Sequence, residues 1–421
     1  MAAGGEPALD PEERKILFFA SSAHFLTHFF MLVFPALVIP ISQEMGVAAA
    51  VALRIGFWMY LLYGVLAIGW GFISDHWGHR WSMASGMIVA GLGLALAGLS
   101  RSLPMLTAGF AVVGIGCSAY HPSGTAIVSQ GVRQRGKALG INGIWGNAGI
   151  ASVPFVVGVL SYTLGWRFSL VILGAIGSAI GIVSMVIPFS VERGTDKAAS
   201  TVEDGKPSGR YSTTVLFAVL CVGLVFGGFM YRGFTLVLPT FLEARLSHLT
   251  GGLRDLISGI VPGGKGFSVQ TLTADIIASA VYVIGMIGQV AGGRIADRYS
   301  LKWSYFLFFV MALPFIVLTT IIPNTALVLT AGAYVFFALG MQPIENSLIA
   351  ILTPARWRSV SYGIKFTLNF GAGSFAVWLM SAAGSRYGIP ESLWVVTGFL
   401  LLVILNSGLF LLLSRGRDMR Q

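Results

Sequence analysis

The stretch Gly71-Phe-Ile-Ser-Asp75-His-Trp-Gly-His-Arg80 separates two long apolar segments. Its counterpart in the second half of the chain is Gly293-Arg-Ile-Ala-Asp297-Arg-Tyr-Ser-Leu-Lys302. At an offset of 222 residues, both stretches contain a Gly, an Asp four residues later and a basic residue five residues after the Asp. A Trp then follows each of them, Trp81 and Trp303. Repetition of a short polar loop between apolar segments indicates a membrane protein with two related halves.

The composition points to the same class of protein. Of the 421 residues, 55% are hydrophobic and 10% are charged, and the mean hydropathy is +0.80. A helix needs about 20 apolar residues to cross a hydrocarbon core about 30 Å thick. Runs of this kind are counted at 16–41, 51–72, 81–99, 104–128, 138–161, 167–189, 213–242, 272–294, 303–322, 325–351, 361–383 and 391–414. We therefore predict an all-α polytopic membrane protein with twelve transmembrane helices in two six-helix halves.

The basic residues predict the orientation. With a cytoplasmic N-terminus, the cytoplasmic loops and ends hold 18 Lys or Arg and the opposite side holds 7, which leaves Arg232 and Lys365 inside the spans. The positive-inside rule then places both termini in the cytoplasm, and we expect a multi-pass protein of the cytoplasmic (inner) membrane. The net charge of +10 is distributed among loops. It does not form a basic patch, so no nucleic-acid partner is expected.

The chain divides into halves at a mixed-charge stretch. The predicted parts are a cytoplasmic tail at 1–15, a first half at 16–189, a cytoplasmic linker at 190–212, a second half at 213–414 and a cytoplasmic tail at 415–421. A glycine-rich segment on the outward side, 243–272, is compatible with a short amphipathic helix near 253–260. The first span is too long for a signal-peptide core and is expected to remain in the protein. Cys117 and Cys221 both fall in apolar spans, so no disulfide is indicated.

The repeated loop resembles the cytoplasmic signature of the major facilitator superfamily. In that family the loop is a gating element, so the resemblance implies gating roles for Gly71, Asp75, Arg80, Gly293, Asp297 and Lys302. Three further stretches resemble the fosmidomycin-resistance efflux branch: Tyr120-His-Pro-Ser-Gly124, Arg135-Gly-Lys-Ala-Leu-Gly140 and Gly146-Asn-Ala-Gly149. The resemblance implies the major facilitator fold, a central cavity lined by spans 1, 4, 7 and 10, and efflux.

Polar residues in spans 1 and 7 are the first candidates for that cavity. His24 and His28 are four residues apart and share a helix face. The match of Leu-Val-Phe-Pro at 32–35 with Leu-Val-Leu-Pro at 236–239 aligns Arg232 with His28. We predict a site for an anion or a proton between the halves, with His24 in proton coupling and His28, Tyr231 and Arg232 in substrate binding. Alternatively, Arg232 snorkels outward or bonds backbone carbonyls, and the histidines are structural donors.

Spans 4 and 5 add Tyr120, His121, Asn142 and Trp145 as predicted substrate contacts. Neutral His both donates and accepts hydrogen bonds and titrates near physiological pH. His121 is therefore a candidate for proton relay or substrate contact, with a structural role at the Pro122 kink as the alternative. Asn142 and Trp145 are expected on one helix face, where Trp145 either covers a substrate or packs against neighbouring helices.

Glu345 in span 10 is the only carboxylate that we place well inside a span, and Gln342 and Asn346 share its helix face. A charge in the hydrocarbon region costs about 3 kcal/mol or more, so it usually faces a cavity or a partner. Lys365 in span 11 lies at a similar depth and is a candidate partner. The pair is either static, or broken by substrate or proton during transport. We predict proton coupling for Glu345 and substrate contact for Gln342, Asn346 and Lys365.

These residues predict a secondary active transporter for a small anionic or zwitterionic molecule, working by alternating access as a proton-coupled exporter. Its expected partners are that substrate, protons and the lipid bilayer, and it is expected to be monomeric. No cofactor is expected. No nucleotide-binding loop is present, so direct ATP drive is not expected, and no nucleophile and base pair indicates an enzyme. One alternative is uptake or export of a transition metal or its chelate through the histidines. An alternative of another class is a membrane assembly factor or sensor without transport.

Overall fold

A computed structural model describes residues 9–187, 211–246, 259, 268–323, 325–354, 358–417 and 419. Across these residues the chain is helical and contains no β-strand. Most of the linker predicted at 190–212 lies outside the described residues. The same holds for the amphipathic helix predicted near 253–260, apart from Gly259.

The first half consists of six successive helical units. They are α1 (Pro11–Ala36, followed by Val38–Met45), α2 (Ala49–Val65 and Ala67–Trp77), α3 (His79–Gly98), α4 (Leu103–Cys117 and Tyr120–Gly131), α5 (Arg135–Leu164) and α6 (Trp166–Val186). The second half repeats the pattern. Its units are α7 (Thr213–Arg245), α8 (Val269–Arg298), α9 (Leu301–Ile321), α10 (Thr325–Leu352), α11 (Arg358–Phe366 continuing through two tight turns to Ala376–Tyr387) and α12 (Leu393–Leu413).

Eleven helices in the described part of the chain are each long and apolar enough to cross a membrane. A further pair of helices, Val38–Met45 and Ala49–Val65, is bent by 109° where the two meet. The number of spans is twelve when this pair is counted as one span. Ala49–Val65 also continues directly into Ala67–Trp77, because the helical hydrogen bonds run on through Leu66. The all-α fold with its multiple apolar spans is thus confirmed, and the second span contains the largest irregularity.

The start of α1 differs from the prediction, since the helix begins at Pro11 and not at residue 16. Asp10 accepts a hydrogen bond from the backbone N–H of Glu13 at 2.8 Å, and the Glu13 side chain accepts one from the backbone N–H of Asp10 at 3.0 Å. This capping box satisfies two N–H groups that a helix start leaves unpaired. Glu13 also accepts from Arg133 Nε at 2.9 Å, and this hydrogen bond raises the pKa of the Arg133 guanidinium.

The two ends of the bundle are distinct. We call the end where α1 begins and α12 ends, marked by Arg80, Arg133 and Lys302, the basic end, and the opposite end the far end. The halves meet along α5 with α8 and along α2 with α11. In the second interface Gly64 packs directly on the backbone of Gly371, a contact that leaves no room for a Cβ. Such glycines allow close approach of membrane helices.

Contacts between the halves concentrate at the far end and in the middle. At the far end, Arg54 donates to Ser381 at 2.9 Å and stacks on Trp378. At the basic end, Trp77 at the end of α2 and Tyr299 after α8 are both exposed. Among the described residues, the halves are therefore joined at the far end and are more separate at the basic end.

Candidate functional site

Three histidines of the first half meet in the middle of the bundle. His24 and His28 lie one turn apart on α1, and their Nε2 atoms are 3.1 Å apart. His121 follows the break in α4 and brings a ring nitrogen into the same group. The three side chains can offer one nitrogen each such that all three lie within 4.8 Å of one another. The four-residue spacing brings His24 and His28 together, and tertiary packing adds His121 to them. We call these three residues the histidine cluster.

Asn142 of α5 orients this histidine cluster. Its backbone carbonyl lies 2.8 Å from His24 Nδ1, and a carbonyl only accepts, so Nδ1 of His24 carries a hydrogen. Nε2 of His24 is then the acceptor for Nε2–H of His28. The Asn142 side chain accepts from the Tyr120 hydroxyl at 2.8 Å and donates to Ser21 at 3.4 Å. Asn142 thus fixes the His24 ring, and Tyr120 fixes the Asn142 side chain.

His121 connects the cluster to the second half. Its Nε2 lies 2.8 Å from the Tyr63 hydroxyl. Its ring stacks on Phe366 of α11 with 4.3 Å between ring centroids. Tyr63 in turn packs against Phe370. A movement of α11 relative to the first half would therefore change the surroundings of His121.

Arg232 of α7 points across the boundary between the halves. It is 3% exposed, and its guanidinium carbon lies 3.6 Å from the ring centroid of Tyr60 in α2. Its Nε has no hydrogen-bond partner, and no carboxylate of the described residues lies within salt-bridge distance of it. Arg232 is therefore a buried cation held by a π face, and it does not snorkel outward.

Tyr231, the neighbour of Arg232, lines a small cavity inside the second half. Tyr282 of α8 and Tyr334 of α10 form other walls of that cavity. The position of Tyr231 beside both Arg232 and this cavity is compatible with its predicted substrate contact.

Glu345 and Lys365 form a buried ion pair between α10 and α11. Lys365 Nζ lies 2.6 Å from Glu345 Oε1, and the two side chains are 4% and 6% exposed. Lys365 also donates to the Asn346 side chain at 2.6 Å. Every charge of this group therefore has a partner, in contrast to Arg232.

Two predicted contacts take other positions. Gln342 accepts from Gln289 of α8 at 2.9 Å, and Gln289 accepts from Asn147 of α5. Gln342 therefore belongs to a chain of amides that joins the halves. Trp145 is 44% exposed and packs edge-to-face on Phe25. It makes no ring contact with the histidine cluster, although the helical spacing placed it on one face with the buried Asn142.

The basic residues of the repeated loop do the same structural work in both halves. Arg80 donates to the carbonyls of Ser184 and Met185 at the end of α6, at 2.9 and 2.7 Å. Lys302 donates to the carbonyl of Ser414, just after α12, at 3.0 Å. A cation is favourable there because the last carbonyls of a helix lack intrahelical partners. These residues thus tie the third helix to the last helix of each half.

The other gating candidates are open at this end. Asp75 and Asp297 are exposed, and neither has an ion-pair or hydrogen-bond partner among the described residues. A Cβ on Gly71 would touch only Pro122, at 3.8 Å, and one on Gly293 would touch nothing within 4 Å. Neither glycine is therefore in a close helix contact in this conformation, where the halves are separate at the basic end. The gating roles that the resemblance implies stay predictions.

One buried carboxylate was missed by the reading of the sequence. Asp275 of α8 is completely buried, and neither of its oxygens has a hydrogen-bond partner. The prediction that Glu345 is the only carboxylate well inside a span is therefore wrong. The helix begins at Val269, earlier than the predicted residue 272, and this places Asp275 nearly two turns inside it. Its spacing from Ser279 and Gln289, on one helix face, was the available signal.

These features define a class of protein: a polytopic membrane transporter of two six-helix halves with polar groups at their junction. The sequence model of the Major Facilitator Superfamily matches residues 17–264. The chain belongs to this superfamily, and it is accordingly a secondary transporter and not an enzyme.

Individual relatives are distant but match along most of the chain. The sialic acid transporter NanX of Escherichia coli (strain K12) is 21% identical, over 97% of this chain and 96% of the relative. The fosmidomycin resistance protein of the same organism is 22% identical, over 78% of this chain and 76% of the relative. Among solved structures, a bacterial homolog of the human lysosomal transporter Spinster, inward-facing and occupied, has a TM-score of 0.73 at 16% identity, covering 96% of this chain and 98% of that chain. This last likeness supports the fold alone.

Proposed function

We propose that this protein carries a small anionic or zwitterionic molecule across the cytoplasmic membrane in exchange for protons, as an exporter with both termini in the cytoplasm. The observation that carries the proposal is the isolated charge of Arg232. A buried guanidinium without a carboxylate is costly unless another group compensates its charge. An anion that reaches the junction between the halves would supply that compensation through charge-assisted hydrogen bonds.

The histidine cluster and the Glu345–Lys365 pair supply groups for proton coupling. Glu345 and Lys365 are joined by a buried ion pair, and a proton on Glu345 would release Lys365 for the substrate or for movement of α11. In the first half, His24 and His28 share a hydrogen bond, and His121, which is hydrogen-bonded to Tyr63, lies beside them. The three histidines are the proposed proton carriers of this half. Both sets lie next to the junction that alternating access must open and close.

The chemistry of two relatives is compatible with this substrate class. NanX is named for sialic acid and the second relative for resistance to fosmidomycin. The first name specifies an acid. Export is proposed from the resemblance of spans 4 and 5 to the fosmidomycin-resistance efflux branch. Sialic acid and fosmidomycin are therefore the first molecules to test.

Proton movement in proteoliposomes tests the proposal. A pH-sensitive dye inside vesicles is followed while each compound is added to the intact protein and to Glu345→Gln. We expect a compound-evoked proton flux with the intact protein and none with the variant, because an amide cannot exchange a proton. The control is Arg386→Gln, which is expected to retain the flux. Arg386 lies at the far end of α11 and stacks on Tyr387. A flux that persists in Glu345→Gln would contradict the coupling role.

A second candidate substrate is a transition metal, favoured by the three histidine nitrogens within 4.8 Å of one another. His24 bonds Asn142 through Nδ1, which leaves Nε2 for a metal, an arrangement typical of metal-ligating histidines. The metal would replace the hydrogen shared by His24 and His28. Addition of Zn²⁺ to the same vesicles separates the candidates. A Zn²⁺-evoked flux that is lost in His28→Gln but retained in Arg232→Gln would favour the metal.

A further inference from the structure

Asp275 lies in the interface between the halves, away from the central groups. It is on α8, and its carboxylate rests on the backbone of α5 at Gly158. A Cβ at Gly158 would lie 3.0 Å from Asp275 Cβ and 3.1 Å from Oδ2. The absence of a side chain on Gly158 therefore gives the carboxyl group its place. Both oxygens are buried without a hydrogen-bond partner in the described part of the chain.

The neighbouring charges do not stabilise an ionised Asp275. The titratable groups that act on it are Glu243 of α7, whose charge has the same sign, and Tyr282 on its own helix. No cation among the described residues lies within 4.0 Å of its oxygens. From α5 it meets Gly158, and no charge interaction joins it to a titratable side chain of α5 or α10 in the described residues. An ionised carboxylate in such surroundings has neither water nor a counter-charge.

Asp275 also lies nearer the far end than the two hydrogen bonds that Ser279 and Gln289 make across this interface. One turn along α8, Ser279 Oγ accepts from the backbone N–H of Phe155 in α5 at 2.8 Å. Farther along the same face, Gln289 bonds Asn147. Separation of α5 from α8 at the far end would uncover Gly158 and Asp275 and allow water to reach the carboxyl group.

We propose that Asp275 is a proton-binding site, distinct from the central groups, that controls the far end of the transporter. With a proton bound, the neutral carboxyl group fits the dry contact with Gly158 and the far end stays closed. Loss of the proton to water at the far end leaves an anion that requires hydration, and this favours separation of α5 from α8. Each opening event is thereby linked to the release of one proton to the far side, and each closure to the binding of one proton from that side.

Distances across the far end test this proposal without any substrate. Spin labels are attached at Leu164→Cys and Ile321→Cys, two exposed positions at the far ends of α5 and α9, in a chain that carries Cys117→Ser and Cys221→Ser. The distribution of distances between the two labels is measured by pulsed electron paramagnetic resonance in lipid nanodiscs between pH 5.5 and 8.5. We expect the open population to rise with pH. In Glu243→Gln, which lacks the second carboxyl group, the rise is expected to be at most about ten-fold per pH unit, the limit for linkage to one proton.

Asp275→Asn keeps the shape of the protonated side chain and cannot ionise, so it is expected to remain closed at every pH, as is Asp275→Ala. Glu243→Gln removes the neighbouring negative charge and is expected to shift the opening to lower pH while retaining it. Ser279→Ala loses a hydrogen bond of the same interface and keeps the full pH response. An Asp275→Asn protein that opens with pH like the intact one, or an intact protein with the same distances at all pH values, would overturn the proposal.

The result does not depend on the transported molecule. Arg232→Gln is expected to keep the pH-dependent distances even though it loses the proposed anion site. Failure of the anion proposal and failure of the Asp275 proposal are thus separate outcomes.

Discussion

Among the described residues, the second half contributes two buried cations to the junction, Arg232 and Lys365, and their surroundings are opposite. Lys365 has a carboxylate at 2.6 Å and an amide oxygen at the same distance. Arg232 lies on the ring of Tyr60 and has no carboxylate partner among the described residues. Groups of the protein alone compensate the charge of Lys365, whereas the charge of Arg232 is available to a ligand. We infer from the difference that Arg232 binds the anion and that the Lys365 pair responds to it.

The largest expected effect comes from breaking the complete pair. Glu345→Gln leaves Lys365 buried without its counter-charge, and loss of one partner of a buried pair destabilises by about 3–5 kcal/mol. The free energy of unfolding is measured in detergent with a chemical denaturant. Glu345→Gln together with Lys365→Met removes both charges and is expected to regain most of the stability. If Glu345→Gln alone were as stable as the intact protein, the Glu345–Lys365 pair would not contribute to the free energy of unfolding.

A smaller effect is expected at the ring beneath Arg232. Tyr60→Leu removes the π face and should weaken anion binding by about ten-fold, corresponding to about 1–2 kcal/mol for a desolvated cation–π contact. Tyr60→Phe is the matched control, because it keeps the ring face on which the Arg232 guanidinium lies. Binding is measured by calorimetry with sialic acid or fosmidomycin. Equal loss in both variants would mean that the ring does not position the guanidinium.

The support of the histidine cluster offers a weaker test in the first half. Tyr120→Phe removes the hydroxyl that donates to Asn142 and is expected to cost about 1 kcal/mol, the usual net contribution of one hydrogen bond. Thermal unfolding of the purified protein measures it. Because the cluster has no ion pair, this change should be well below that of Glu345→Gln. A loss of comparable size would remove the contrast between the two halves.

The smallest change in stability is expected for Arg232 itself. Arg232→Met exchanges an uncompensated buried charge for an apolar side chain, and the lost contact with Tyr60 is offset by the lower desolvation cost. The free energy of unfolding is therefore expected to change by less than about 1 kcal/mol, within the range of ordinary substitutions. A large destabilisation would indicate that Arg232 stabilises the fold and that its charge is not free for a ligand.

The sequence was sufficient for the fold and for several of the groups at the junction. Apolar run lengths and the repeated Asp75 and Asp297 loops predicted the architecture, since bilayer thickness constrains helix length. His24 and His28 could be paired from their four-residue spacing on one helix. Glu345 and Lys365 could be suggested as partners because both are charges at a similar depth in the membrane.

Tertiary arrangements were beyond the sequence. The ring contact of Arg232 with Tyr60 joins two halves whose relative placement no periodicity specifies. At the basic end Asp75 has no ion-pair partner among the described residues, and helix periodicity does not specify how far the halves are separated there. Asp275 was overlooked because it lies near the end of an apolar run, where a carboxylate normally reaches water. Only the packing of α8 on Gly158 shows that it is buried.

The affinity for the anion in the presence and absence of the Arg232 charge tests the central claim most directly. Sialic acid and fosmidomycin are titrated by calorimetry into the intact protein, Arg232→Met and the control Arg386→Met. The account predicts a Kd about 100-fold higher for Arg232→Met, since loss of one partner of a buried charge pair in a complex costs 2 kcal/mol or more, roughly, and an unchanged Kd for the control. Unchanged binding of either compound in Arg232→Met would contradict the account.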